Sequence, residues 1–296
     1  MRRIVRHCRL ALLAALALGG ARAEAADPLP AATPTPPVMT SGWAFRFTPY
    51  GWLASIDGKQ TVKGRSAKVS ASFIDIVDAT AGDGGTLIGL MGELEARKGP
   101  LSFYGNFLWS KLGIDRSGVR SRNMAPGVTG TIGAAADMTI SMATLEIGSA
   151  YEVARFGSVG FDVLGGARYW YQRAHLSFER AATLDVGDLS LTNDRAIARS
   201  GAVDWLDGFV GARVRFAVAP GQELLLRGDI GGGGSRFSWQ AIAAYSFDFA
   251  EKNGVTYSGV VGYRALSVDY EQGSGRRLYA FDMLQHGPIL ALSLRF

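Results

Sequence analysis

Gly287-Pro288-Ile289-Leu290-Ala291-Leu292-Ser293-Leu294-Arg295-Phe296 is the stretch that decides the fold. Successive side chains of a strand point to opposite faces. On that period Pro288, Leu290, Leu292, Leu294 and Phe296 share one face, while Gly287, Ala291, Ser293 and Arg295 lie on the other with Ile289. One face suits lipid and the other a polar interior. Residues 204–216 divide the same way: Leu206, Gly208, Val210, Ala212, Val214 and Phe216 outward, Asp207, Gly211, Arg213 and Arg215 inward. Segments of about ten residues with this alternation mark a membrane-spanning β-barrel. A water-soluble sandwich or lipocalin-like barrel shares the period but carries its charges outside and its apolar residues inside. Here the charged residues share the face of the small and polar ones.

Working outward, ten such strands are predicted, at about 43–54, 86–97, 100–112, 137–153, 157–172, 204–217, 222–231, 236–248, 254–268 and 285–296. The fold class is therefore all-β, an antiparallel transmembrane barrel of about ten strands, with eight to twelve as the bounds. Short connections at Arg97-Lys98-Gly99-Pro100, Arg155-Phe156, Ala219-Pro220-Gly221 and Glu251-Lys252-Asn253-Gly254 alternate with long ones at 55–85, 113–136, 173–203 and 269–284. The Gly-rich connection 232–235 is the one short exception. Short turns on the periplasmic side and long loops outside are the barrel pattern, and an even strand count returns both termini to the periplasm. No run that is both uncharged and predominantly apolar approaches the twenty residues a membrane helix needs.

The N-terminal region reads differently. Arg2, Arg3, Arg6 and Arg9 precede a short apolar run, Leu10 to Ala21, with small residues after it at Ala21-Arg22-Ala23 and Ala23-Glu24-Ala25. That is a secretory signal over residues 1–25, too short in its apolar part to anchor. A Pro- and Ala-rich linker follows over 26–42, and the barrel occupies 43–296. Removing the signal takes five of the 31 basic residues and one of the 26 acidic ones, leaving a net charge of +1. The apparent basicity therefore offers no case for nucleic-acid binding. The only cysteine, Cys8, is in the signal, so the exported chain has neither disulfide nor cysteine-held metal.

Trp43, Phe45, Trp109, Tyr151, Tyr169, Tyr171, Tyr245, Tyr257, Tyr263 and Phe296 fall near predicted strand ends on the outward face, as interfacial aromatic girdles do. Within the first long connection, Gln60–Lys63 and Lys68–Ser72 can pair across Gly64-Arg65-Ser66. The stretch 73–78 can form a short helix tucked into the barrel mouth.

The runs Thr48-Pro49-Tyr50-Gly51-Trp52-Leu53, Glu95-Ala96-Arg97-Lys98-Gly99, Gly165-Gly166-Ala167-Arg168-Tyr169-Trp170 and Val210-Gly211-Ala212-Arg213-Val214-Arg215-Phe216 carry a family likeness. So do Leu226-Arg227-Gly228-Asp229-Ile230-Gly231, Ser238-Trp239-Gln240-Ala241 and Gly262-Tyr263-Arg264. Together they resemble a family of uncharacterised proteobacterial outer-membrane barrels, similar to small OmpA- and OmpW-type proteins. The resemblance covers 43–296 and implies fold and location; it brings no catalytic or ligand-binding residue with it.

The inward parity places Arg46, Arg97, Arg168, Arg213, Arg215, Arg227, Arg264 and Arg295 in the lumen with Glu93, Glu95, Glu146, Glu152, Asp162, Asp207, Asp229 and Asp248. Buried charges persist when paired, and arginine suits bidentate carboxylate pairing. The balanced set predicts a cross-lumen lattice, with an arginine-lined narrow pore as the alternative. An outer-leaflet lipid hydrolase is a second alternative, because His175 and Ser177 share one strand face with Glu179 two residues on. The third is a surface adhesin or lipopolysaccharide-binding barrel, using Arg116, Arg120 and Arg122 in one loop and Arg276 and Arg277 in another. Gly231–Gly234 lacks the following Lys-Ser/Thr of a phosphate loop and reads as a turn. No cofactor and no catalytic role is expected. The expected partners are outer-membrane lipid, lipopolysaccharide and, during biogenesis, the barrel-assembly machinery, with the barrel itself a monomer.

Overall fold

The computed structural model describes residues 42–62, 65–81, 86–125, 128–186 and 189–296. The residues expected to form a signal peptide, 1–25, and those expected as a linker, up to residue 41, lie outside the described residues. Among the described residues twelve strands and one α-helix are formed: β1 (Ala44–Trp52), β2 (Ser55–Val62), β3 (Arg65–Ala71), α1 (Phe73–Ala81), β4 (Thr86–Lys98), β5 (Leu101–Ala125) and β6 (Val128–Phe156). They continue with β7 (Val159–Val186), β8 (Leu189–Ala219), β9 (Gln222–Gly233), β10 (Phe237–Lys252), β11 (Val255–Gln272) and β12 (Tyr279–Arg295). Strands β1 and β4 to β12 pair in order, each antiparallel to its neighbour, and the β1–β12 ladder closes the ring. The barrel is ten-stranded, as the alternation predicts. No helix is long and apolar enough to cross a membrane among the described residues.

Four two-residue turns gather at the end that also carries β1's start and β12's end: Gly99-Pro100, Gly157-Ser158, Pro220-Gly221 and Asn253-Gly254. In the last, both φ angles are positive (54° and 77°), the conformation that matches a hairpin's twist and that Asn-Gly adopts most readily. At this end Phe45 and Phe296 exchange backbone hydrogen bonds of 2.8 and 3.0 Å.

The opposite end departs from expectation. The connections expected as loops at 113–136 and 173–203 are strand: β5 and β6 run to Ala125 and from Val128, and β7 and β8 to Val186 and from Leu189. The connection expected over 269–284 likewise shrinks to a 3₁₀ turn at Gly275–Arg277 between β11 and β12. The cause is physical. The apolar alternation reports a wall with lipid on one side, and it ends where the wall leaves lipid, whereas backbone pairing does not need lipid to continue. The turn expected at Arg155-Phe156 sits instead at Gly157-Ser158, because an irregularity between Glu152 and Ala154 carries β6 further.

Within the first connection the expected hairpin and helix are both present. β2 pairs with β3 and with the upper part of β12, from Ser55↔His286 to Thr61↔Ala280. β1 and β2 thus ride in succession along the same edge of β12, and the chain crosses between them at Leu53-Ala54, where Leu53 N–H donates to the Pro288 carbonyl at 3.0 Å. Gly287 permits that crossing, since a Cβ there would sit 2.1 Å from the Leu53 carbonyl oxygen.

Exposed large side chains such as Leu145, Ile147, Val163, Leu206, Val210, Ile230 and Leu290 cover the outside. The core lies inside the barrel, with Trp52, Leu108, Trp170, Trp205, Leu266, Tyr270 and Phe281 packed together.

Candidate functional site, the filled lumen

All sixteen charges expected in the lumen lie on the inner face, grading from fully buried to rim. Arg168 and Asp207 are completely buried, whereas Arg295 and Asp248 pair at the terminal rim at 2.9 Å. Arg168 on β7 donates to Glu146 on β6 through Nε at 3.0 Å and Nη2 at 2.8 Å, and crosses to Asp229 on β9 at 2.7 Å. Arg227 on β9 donates back to Glu146 and to Asp229 at 3.1 Å, closing a four-membered ionic ring. Arg213 on β8 reaches Asp162 at 2.7 Å, Glu95 on β4 at 3.0 Å and the Ser102 hydroxyl at 3.1 Å. Arg215 binds Asp162 and Glu152, and Arg97 donates to Glu152 at 3.0 Å. Arg46 lies 4.0 Å from Glu95 and 3.9 Å from Glu223. Apart from Arg264 and Arg295, each of these guanidinium groups is met by carboxylates from two strands, the arrangement in which a buried charge is tolerated.

Three of the sixteen do not join an ion pair. Asp207 accepts from the Ser235 backbone N–H at 2.7 Å, the Ser235 hydroxyl at 2.8 Å and Trp205 Nε1 at 3.3 Å, and so pins the Gly-rich β9–β10 turn. Glu93 is held by Asn106 at 3.4 Å. Arg264 donates to the Tyr50 hydroxyl at 2.9 Å and stacks over Trp52 at 5.0 Å. Conversely, sequence parity missed Arg155 and Glu223. Arg155 grips Glu152 through two hydrogen bonds of 2.8 and 2.7 Å. The irregularity at Glu152/Ala154 shifts the inward parity by one, which a strict period of two overlooks. Glu223 carries the same odd parity as Arg227 and Asp229 on β9, and that was the signal available for it.

Above the lattice the filling changes character. Trp170 and Trp205 stack at 5.5 Å between centroids, Trp205 and Tyr270 at 4.0 Å, and Tyr279 meets Tyr270 edge-on at 6.3 Å. Trp52, Leu108, Leu266, Val268, Phe281 and Met283 complete a plate drawn from β1, β5, β7, β8, β11 and β12, with Met91 of β4 and Met142 of β6 packed against it. Hydrogen bonds span it too: Tyr279 donates to Gln172 across from β12 to β7 at 2.7 Å. Below the plate a cavity of about 300 Å³ opens among Arg46, Tyr50, Glu93, Arg213, Arg227 and Arg295 on the terminal side.

His175 and Ser177 lie on β7, but their side chains fall outside the described residues, as do those of Arg116, Arg120, Arg122 and Arg276. The other histidine of the barrel, His286, accepts or donates at Nδ1 with the Tyr263 hydroxyl at 2.6 Å, with Nε2 3.3 Å from Asp57. Ser70 donates its hydroxyl to the same Asp57 carboxylate at 2.6 Å. Among the described residues no His, Cys, Asp and Glu cluster is arranged to hold a metal ion.

No protein-family model and no curated protein sequence matches the chain. Among solved structures it is similar to outer-membrane β-barrels. Ail, the attachment invasion locus protein of Yersinia pestis, aligns at 10% identity over 87% of this chain and 100% of its own, with a TM-score of 0.31. The outer-membrane protease OmpT of Escherichia coli aligns at 11% over 87% and 97%, with a TM-score of 0.38. The translocator domain of the autotransporter NalP of Neisseria meningitidis aligns at 12% over 87% and 90%, with a TM-score of 0.34.

Proposed function

We propose that the chain is an outer-membrane barrel with its turns and termini on the periplasmic side. In this reading its lumen is sealed, and it stands as a rigid post raising the β5–β6 and β7–β8 hairpins beyond the outer leaflet. The plate of Trp170, Trp205, Tyr270, Tyr279 and Phe281 carries this reading, because it fills the cross-section above the ionic lattice. Ten strands are near the number whose interior side chains alone fill, and wide aqueous channels need about sixteen or more. A strand needs about 9–11 residues to cross a bilayer, whereas β5 to β8 have 25, 29, 28 and 31. That excess length favours display of the hairpins toward lipopolysaccharide or a surface partner over transport. Refolded mature protein in planar bilayers tests the reading: a silent bilayer is expected, and reproducible single-channel steps overturn it.

A further inference from the structure

The wall of the barrel is not continuous. The β1–β4 ladder ends at Pro49↔Gly92. Proline has no N–H to donate, and beyond it β1 follows β12 while the free edge of β2 is taken by β3. Among the described residues no strand pairs with the edge of β4 from Thr86 to Met91 on this side. The burial pattern registers the break: Leu87, Ile88, Gly89 and Leu90 are exposed in succession, where an intact wall would show every second one covered. An open edge is not tolerated in hydrocarbon unless something covers it.

Behind this edge lies a second cavity, of about 240 Å³, roofed by Phe73 and Ile76 of α1 and floored by Met91, Leu108, Leu112 and Met142. Leu87 and Ile88, whose side chains point to opposite faces, both line it, so the cavity wraps from the barrel interior around the edge to the outer surface. None of its lining residues carries a charge. Two lining side chains are about 95% buried and hold an unpartnered polar atom, Trp52 Nε1 and Gln285 Oε1. The Trp52 ring face is used by Arg264 at 5.0 Å and the Gln285 amide nitrogen by Met142 Sδ at 3.2 Å, so one donor and one acceptor remain.

We infer that this breach is a lateral binding site for a single-chain amphiphile with a neutral hydroxyl or carbonyl head, entering from the outer leaflet between β1–β2 and β4. A hydroxyl both accepts and donates, and so can serve either Trp52 Nε1 or Gln285 Oε1. Among the lining residues a carboxylate or phosphate would meet no countercharge, the Arg264 guanidinium being stacked on the Trp52 ring. The volume falls below the roughly 300–1,000 Å³ of ordinary ligand pockets and so admits one chain, which excludes a whole multi-chain lipid. The inference rests on the membrane placement proposed above.

Photo-crosslinking of the mature full-length barrel in phospholipid nanodiscs tests it, with diazirine-bearing long-chain alcohol, alkane and fatty acid as probes and the labelled residues mapped. The alcohol is expected to label Met91, Leu108 and Phe73. Filling the slot with Ala54→Phe, or with Ser110→Leu should the first variant fail to fold, is expected to reduce that labelling about tenfold, a loss of about 1.4 kcal/mol. Gln285→Leu is expected to narrow the preference for alcohol over alkane by roughly fivefold. Labelling confined to the outward residues Leu90 and Leu94 overturns the site, as does interior labelling untouched by either filling variant or equally strong with the fatty acid. If even Leu90 and Leu94 escape the probes, the membrane placement itself fails, a result distinct from failure of the site.

Discussion

Arg168 and Trp170 are two residues apart on the inner face of β7, both essentially inaccessible, and they belong to different physical regimes. The first is at the centre of the ionic ring with Glu146, Arg227 and Asp229; the second stacks on Trp205 in the plate above. β8 shows the same boundary in reverse, with Trp205 in the plate and Asp207 below it. The same strands therefore support two fillings that are equally dry at these positions. The ionic half is directional and interdependent, since the burial of each ion-paired carboxylate is tolerated only while its arginine is present. The plate is additive and non-directional, since each ring contributes the area it removes from water and the contacts it makes.

The largest effect expected from that contrast is in the plate. Trp170→Ala and Trp205→Ala each leave a cavity and should cost about 3–5 kcal/mol, and the pair together more than either alone. Guanidinium unfolding of the detergent-solubilised barrel measures this. The same double variant is the one expected to breach the seal and give conductance steps that the parent lacks. A double variant no less stable than each single one would mean the two rings act as a unit and would break the contrast.

Next in size is the lattice, where the sign of coupling should reverse. Arg213→Met takes from Glu95 its one close arginine, Arg46 being 4.0 Å away, and leaves Asp162 to Arg215 and Arg97, and should cost about 3–5 kcal/mol. Adding Asp162→Asn and Glu95→Gln removes the charges left under-neutralised and should recover most of that loss, since a buried ion pair replaced as a whole is often near neutral. In the plate, by contrast, a second truncation deepens the loss. If the triple variant is less stable than Arg213→Met, the lattice is contributing net attraction and its interdependence is weaker than argued.

How much of this was legible in the sequence divides along the same boundary. The closure, the strand number and sixteen of the inward charges, from Arg46 to Arg295, follow from a period of two, because lipid outside and polarity inside leave opposite marks on alternate residues. The plate did not announce itself. An inward Trp170 or Tyr270 looks the same, residue by residue, as an outward Tyr169 or Tyr263, and the apolar character of the upper lumen appears only when strands far apart in sequence are brought to one level. Arg155 was hidden by a one-residue irregularity, and the long hairpins by an outer face that stops being apolar once it leaves lipid. The breach at β4 was hidden for a different reason. Pro49 was visible, but its consequence depends on which strand lies beside it.

The smallest effect is expected at α1, the roof of the second cavity, and it sharpens the contrast by being local. Ser72 and Asp75 cap α1 reciprocally: Asp75 accepts from the Ser72 backbone N–H at 2.9 Å and hydroxyl at 2.7 Å, and the Asp75 N–H donates to Ser72 Oγ at 3.1 Å. The Ser72 hydroxyl first, and its N–H second, hold the Asp75 carboxyl below its ordinary range. Because the folded value is depressed, the cap's contribution is complete above the ordinary carboxylate range and is lost as pH falls through the lower folded value. Ser72→Ala should therefore cost the helix about 1 kcal/mol. Its trace should be faster amide exchange over 73–77, with the global unfolding midpoint almost unmoved. A global shift as large as that of Trp205→Ala would instead make α1 a structural member of the plate, with Ile76, its buried contact, acting as part of the seal.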